Sequence, residues 1–160
     1  MAQAFEDLEV WRDSRRLARL VYEVTGQGSL RHDWDLRRQM RRSAVSVMSN
    51  IAEGFDRGTN RDFARFLHVA KGSVSELRAQ LYLAQDLGYA EREQLTVLLA
   101  GYDALGRRIS GLVAYLERCI SQGRVLREIE IGYTTARPES THPDQVLDSV
   151  QPGWSSDACD

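Results

Sequence analysis

Arginines are spaced along the first predicted helix of this 160-residue chain so that they share one face. Counted from the first of them, they stand three, four and seven residues away, which matches the turn of an α-helix. Guanidinium groups hydrogen-bond phosphate oxygens and displace the counterions of nucleic acid. A second cluster stands near the start of the next predicted helix. The candidates for nucleic-acid binding, which would show little sequence preference, are therefore Arg12, Arg15, Arg16, Arg19, Arg37, Arg38 and Arg41.

An ordinary solvated helix face is the alternative for this arginine run. Glu9, Asp13 and Glu23 interleave with the arginines, and charge runs on helices usually face solvent. The formal net charge of −2 also excludes a chain that is basic as a whole. Residues 1–120 carry 18 basic and 16 acidic side chains, whereas residues 121–160 carry 3 and 7. A basic surface would therefore need the first part of the chain to repeat around an oligomer.

The second predicted helix carries small polar residues on the arc opposite its apolar stripe. Serine and asparagine are weak helix formers, and they are uncommon on a plain solvated face. Small polar groups suit a packed contact in which each group finds a hydrogen-bond partner. We predict that Arg42 pairs with Glu53 or Glu76, while a solvated face remains the alternative. The predicted polar packing or subunit contact comprises Gln39, Arg42, Ser46, Asn50, Glu53, Ser73 and Glu76.

Four amphipathic segments must position these residues. Apolar side chains recur at separations of three and four in each segment, which is typical of helices. Glycines at 26 and 28, at 54 and 58, and at 88 should end the first three. The pattern predicts an all-α, up-down four-helix bundle over residues 1–120. Its most regular seam lies in the fourth helix and comprises Leu95, Leu98, Tyr102, Leu105, Ile109, Leu112 and Leu116.

Residues 121–160 have a different composition. Their periodicity fades, and Pro138, Pro143 and Pro152 stand among serine, threonine and aspartate. This composition predicts an extended or partly disordered tail. Residues 129–133 alternate in a weak strand pattern that an extended arm would also explain. No signal peptide or membrane-spanning stretch is visible, so we expect a cytoplasmic protein.

Catalytic motifs are missing from the sequence. It contains neither a P-loop nor a G-x-G-x-x-G motif. A di-iron bundle would need two Glu-x-x-His motifs, and the single match, Glu139–His142, falls in the predicted tail. His68 stands alone, and the two cysteines lack metal-binding spacing. We expect no enzyme activity, no cofactor and no metal.

Two motifs carry a resemblance to a known family. They are Gln39-x-Arg41-Arg42-x-Ala44-x-Ser46 with Asn50-Ile51-Ala52-Glu53-Gly54, and Arg65-Phe66-Leu67 with Ala70-x-Gly72-Ser73-x-x-Glu76-Leu77. Residues 5–120 resemble the four-helix-bundle family of proteins encoded in ribosomal-RNA intervening sequences. The same family includes the accessory variability determinants of diversity-generating retroelements.

The resemblance implies an assembly and two possible functions. Members look like bundles that form homopentamers, and the retroelement members bind nucleic acid and partner a reverse transcriptase. It therefore implies an accessory protein that binds RNA or a DNA/RNA hybrid. The intervening-sequence members have no established activity, which leaves an oligomeric interaction scaffold without a nucleic-acid role as the alternative.

Overall fold

Four α-helices form the part of the chain that the computed structural model describes, residues 3–124. Every regular element in this range is helical, which confirms the predicted four-helix bundle. The predicted tail and its weak strand fall almost wholly outside this range. The helices are α1 (Glu9–Val24), α2 (Trp34–Asp56), α3 (Asn60–Asp86) and α4 (Arg92–Ser121), with short 3-10 helices at Phe5–Asp7 and Ser29–His32.

Consecutive helices are antiparallel neighbours. Ser46 of α2 contacts Ser73 of α3, and Gly54, later in α2, faces Phe66, earlier in α3. Arg78 and His68 of α3 meet Asp103 and Glu117 of α4, and Leu17 and Asp13 of α1 meet Gly101 and Arg108 of α4, so both pairs of helices are antiparallel. Helix α1 therefore packs between α2 and α4. The connectivity is therefore up-down-up-down around one core.

The three-four spacing of apolar residues builds this core. All seven residues of the α4 seam are buried, each with 6% or less of its surface exposed. Leu17 and Val21 of α1 and Met40 of α2 belong to the same buried cluster as these seam residues. Because each helix buries a single stripe, its opposite face stays available for charged residues.

Short capping motifs fix where α2 and α3 begin. The Asp33 carboxylate accepts a hydrogen bond from the Leu36 backbone at 3.0 Å, and Thr59 Oγ1 accepts one from the Asp62 backbone at 3.0 Å. These bonds satisfy amide groups that a helix N-terminus leaves unpaired. The cap at Asp33 places Trp34 in the first turn of α2.

Gly54 does not end α2, contrary to the sequence prediction. The helix continues to Asp56, and Gly58, at φ 73°, terminates it. A Cβ atom on Gly54 would lie 2.6 Å from the Phe66 Cβ. Glycine is therefore needed here for the close approach of α2 to α3, and a helix interior tolerates it for that reason.

No helix within residues 3–124 is long and apolar enough to cross a membrane.

Candidate nucleic-acid interface

The arginines of α1 lie on its outer face, and acidic side chains accompany most of them. Arg12 lies 3.7 Å from Asp7, and Arg19 lies 3.5 Å from Glu23. Arg16 lies 3.3 Å from Asp13, which also pairs with Arg108 of α4. These contacts offset much of the positive charge on this face, although exposed ion pairs contribute little to stability.

Asp7 is held in its charged form at the start of α1. Backbone N–H groups of Gln3 and Ala4 donate to its carboxylate at 2.9 and 3.2 Å. These hydrogen bonds, with a smaller contribution from Arg12, lower the pKa of Asp7. The carboxylate therefore stays beside Arg12 at neutral pH, and Arg12 also donates to the Glu6 carbonyl at 2.7 Å.

The second arginine cluster lines a concave surface where α1 ends and α2 begins. We call this surface the arginine–aromatic groove. It has a volume of about 410 Å³ and is open to solvent. It contains all three of the arginines predicted on α2, together with one arginine, two aromatic residues and a valine. The lining residues are Tyr22, Trp34, Arg37, Arg38, Arg41, Arg42 and Val45.

Arg41 fastens the groove to the end of α1. Its Nε donates to Thr25 Oγ1 at 2.8 Å, and another guanidinium nitrogen donates to the Tyr22 carbonyl at 3.2 Å. Its guanidinium lies 4.5 Å from the centre of the Tyr22 ring, within cation–π range. Thr25 is fully buried, so the residue that accepts the Arg41 hydrogen bond is held in the protein interior.

The other groove arginines have fewer acidic partners than those of α1. Arg37 donates to the Arg31 carbonyl at 3.0 Å and lies 4.7 Å from the Trp34 ring centre. Arg38 makes a long, exposed contact of 3.8 Å with Asp35. Arg42 is exposed and makes no ion pair within the described part of the chain. The groove therefore combines positive charge with exposed aromatic rings.

Part of the predicted polar layer does join α2 and α3. The hydroxyls of Ser46 and Ser73 lie 2.9 Å apart, and Asn50 Nδ2 donates to the Ser46 carbonyl at 2.7 Å and its hydroxyl at 3.1 Å. Ser73 is buried, at 8% exposed, whereas Ser46 and Asn50 are half-buried. This cluster links two helices through matched polar groups.

The predicted pairing of Arg42 with Glu53 or Glu76 is wrong for the described protomer. Eleven residues separate Arg42 from Glu53, which is roughly 16 Å along a helix. Glu53 instead pairs with Arg57 at 2.7 Å, and this hydrogen bond raises the pKa of Arg57. Glu76 accepts from Gln80 at 3.4 Å. Each acidic side chain thus bonds a residue one helical turn away.

Within the described protomer, Gln39 and Arg42 make no hydrogen bond to the cluster of Ser46, Asn50 and Ser73. The backbone carbonyl of Gln39 accepts from the Ser43 hydroxyl at 3.0 Å, while its side chain is exposed. Arg42 lines the groove together with Arg38 and Val45. Their spacing of four and three residues along α2 was the available signal for this shared face.

Within residues 3–124, no group of three potential ligands lies close enough to hold a metal ion. His68 lies 3.6 Å from Glu117, and both side chains are exposed.

Fold and surface together define an up-down four-helix bundle with a basic, aromatic groove at one helix junction. The profile of the 23S rRNA-intervening sequence protein family matches residues 6–111, and the chain belongs to this family. The intervening-sequence part of the predicted resemblance is therefore confirmed. Its link to retroelement accessory determinants stays a prediction.

A solved structure supports the fold independently. The chain is similar to a protein of unknown function from the S23 ribosomal protein family of Bacteroides thetaiotaomicron VPI-5482, determined at 1.70 Å. The TM-score is 0.59 at 22% identity, and the match covers 65% of this chain and 97% of that one. At this identity the similarity establishes the fold alone. A search of curated proteins found no match.

Proposed function

We propose that this protein is a non-enzymatic, oligomeric accessory protein that binds RNA or a DNA/RNA hybrid. The observation that carries the proposal is the arginine–aromatic groove, where four arginines have Asp35 as their only acidic partner within residues 3–124. Such a surface attracts phosphate groups and releases condensed counterions. Contacts to phosphates orient a nucleic acid without reading its sequence.

The position of the groove supports a binding site that extends beyond α2. The groove adjoins the outer face of α1, since Arg41 links α2 to the last turn of α1. A backbone bound in the groove could continue toward Arg15 and Arg19. The α1 arginines then add charge to a site centred on α2.

Assembly would repeat the groove, and we propose a homo-oligomer, with the pentamer as the expected form. Along α3, exposed Val69, Leu83 and Leu87 share a line with Ser73, Glu76 and Gln80 at three-four spacing. Exposed apolar residues beside polar ones are typical of protein interfaces. Native mass spectrometry should detect a pentamer, and the double variant Leu83→Glu/Leu87→Glu should dissociate it. A stable monomer of the unchanged protein at micromolar concentration would contradict this part of the proposal.

A reverse transcriptase of a diversity-generating retroelement is the partner that we propose. The support is the resemblance of the α2 and α3 motifs to accessory variability determinants. A reverse-transcriptase gene beside this one, and co-purification of the two proteins, would support the partnership. An isolated gene together with failure to co-purify would contradict it.

An interaction scaffold of the intervening-sequence type is the second candidate. The acidic partners of Arg12, Arg16 and Arg19 favour it, because they leave less charge on α1 for phosphates. This scaffold would bind proteins through the same exposed helix faces and would have no nucleic-acid role.

Fluorescence anisotropy separates the two candidates. Labelled structured RNA and a labelled DNA/RNA hybrid are titrated with the full chain at low and at physiological salt. We expect the logarithm of the association constant to fall linearly with the logarithm of the salt concentration. The quadruple variant with Arg12, Arg15, Arg16 and Arg19 changed to Gln tests whether α1 takes part. Absence of binding by the unchanged protein at low salt would favour the scaffold.

A further inference from the structure

The groove contains two large aromatic side chains that the bundle core does not use. Trp34 is 71% exposed and Tyr22 is 45% exposed, whereas Trp11 is buried against Phe5. Single exposed apolar residues are common on protein surfaces. Here, however, the two exposed rings line one concavity with four arginines. Phosphate binding alone would not require them.

The rings are also held in place by their neighbours. The Arg41 guanidinium lies against the Tyr22 ring. Arg41 also donates to the Thr25 hydroxyl and the Tyr22 carbonyl, and Thr25 donates to the same carbonyl, so Arg41 is held at the end of α1. The Arg37 guanidinium lies against Trp34 and is hydrogen-bonded to the Arg31 carbonyl. Both aromatic rings and guanidinium planes are surfaces on which unpaired bases stack.

We infer that the groove binds unpaired nucleotides, with a base stacked on Trp34 or Tyr22 and the adjoining phosphates held by Arg38 and Arg42. This inference rests on the nucleic-acid-binding function proposed above and specifies the form of the ligand. A base inside a duplex already stacks on its neighbours and cannot offer its face to a side chain. Single-stranded segments therefore gain a contact that duplexes lack. Every base has a π-face, so the contact tolerates any sequence.

An abasic oligonucleotide tests the stacking contact directly. A labelled 12-nucleotide thymidine strand and an abasic strand of equal length carry matched phosphates and differ in their bases. We expect the full-length protein to bind the thymidine strand about 5- to 100-fold more tightly, as stacking of one base predicts. The variant Trp34→Leu/Tyr22→Leu should lose this preference while it still binds the abasic strand. Tyr82→Leu, which removes an exposed aromatic ring on α3, is the matched control and should retain it.

The outcomes distinguish failure of this inference from failure of the proposed function. Equal affinity of the unchanged protein for the two strands would overturn the stacking contact and leave phosphate binding in place. A Trp34→Leu/Tyr22→Leu variant that still prefers the thymidine strand over the abasic strand would also overturn the stacking contact. Binding of the RNA or the hybrid without binding of the thymidine strand at low salt would overturn the inference alone. Failure to bind all four ligands at low salt would overturn the nucleic-acid function itself.

Fluorescence provides a second measurement that does not depend on the double variant. In a Trp154→Phe background the remaining tryptophans are buried Trp11 and exposed Trp34. The thymidine strand should quench the emission, and the abasic strand at equal saturation should quench it much less. Equal quenching by both strands would contradict stacking on Trp34.

Discussion

The two arginine clusters of this protein each lie on one side of a helix but have different surroundings. Around the α1 arginines, Asp7, Asp13 and Glu23 lie within 3.7 Å of guanidinium groups. At the start of α2, the shortest arginine–carboxylate distance is the 3.8 Å contact with Asp35. Aromatic rings and backbone carbonyls are the main neighbours there. Carboxylates compete with phosphate for guanidinium groups, whereas aromatic rings do not.

The difference shows that helical spacing alone does not define an anion-binding surface. Both clusters place guanidinium groups on one helix face, as the period of the helix requires. The α2 cluster also faces the end of α1 across a short connection, which creates a concavity. Charge in a concave site acts more strongly on a ligand than charge on a convex helix face.

The largest expected effect compares one pair of arginines from each cluster. Arg38→Gln/Arg42→Gln should weaken binding of a single-stranded oligonucleotide about tenfold and reduce the salt slope by about 1.4, as loss of two phosphate contacts to a single strand predicts. Arg15→Gln/Arg19→Gln removes the same charge from α1 and should weaken binding less than threefold. Fluorescence anisotropy over a series of salt concentrations measures both quantities.

Arg61→Gln/Arg65→Gln on α3 controls for net charge at a site outside both clusters. If all three double variants weaken binding equally, total charge governs the affinity and the two clusters are equivalent. If the α1 variant has the larger effect, the interface is centred on α1.

The groove and the bundle differ in how far sequence alone could predict them. Seam residues such as Leu105 and Ile109 occupy regular positions, and burial follows directly from the helical period. The groove depends on how Tyr22 at the end of one helix meets Arg41 of the next. That meeting follows from the path of residues 25–33, which the period does not determine. For this reason the spacing of Arg38, Arg42 and Val45 identifies a shared face of α2 but not the groove that this face forms with α1. Gly54 was placed at the end of α2, although a helix interior can hold glycine where another helix approaches closely.

Thr25 provides the next test, because it anchors Arg41 to α1. Thr25→Val preserves the buried shape but removes the acceptor of the Arg41 hydrogen bond. We expect the free energy of unfolding to fall by about 1 kcal/mol, typical for one hydrogen bond. Affinity for single strands should fall with it, since Arg41 would no longer fix the groove. Chemical denaturation and anisotropy measure the two effects. Loss of stability with unchanged affinity would show that the groove does not need this anchor.

Glu23→Gln should make the α1 face more similar to the groove. The substitution removes the carboxylate that lies 3.5 Å from Arg19 and keeps the side chain's length. We expect affinity for nucleic acid to rise about twofold, because exposed pairs of this kind are worth roughly 0.3–0.5 kcal/mol. Glu91→Gln, at the start of α4, controls for the added positive charge. A decrease in affinity would mean that the Arg19–Glu23 pair orients Arg19 for binding.

Asp7→Asn should have the smallest effect, a slight fall in melting temperature. The pH dependence of this fall separates the charge of the carboxylate from its shape. The Asp7 pKa is lowered from 3.8 mainly by the backbone hydrogen bonds of Gln3 and Ala4. A carboxylate with a lowered pKa stabilises the folded state above its unfolded pKa, and this contribution is lost as pH falls through the folded value. Asp7→Asn should therefore melt at a slightly lower temperature than the unchanged protein at pH 7. Below pH 3.8 the two melting temperatures should converge.

Thermal unfolding followed by circular dichroism at several pH values between 3 and 7 measures this convergence. A difference that is constant across the range would mean that Asp7 acts through shape or neutral hydrogen bonding. The charge of Asp7 would then matter little to Arg12. Neighbouring carboxylates would be a weaker explanation for the expected difference in affinity between the α1 arginines and the groove arginines. Convergence would instead show that the carboxylate is charged in the folded state beside Arg12, as the contrast requires.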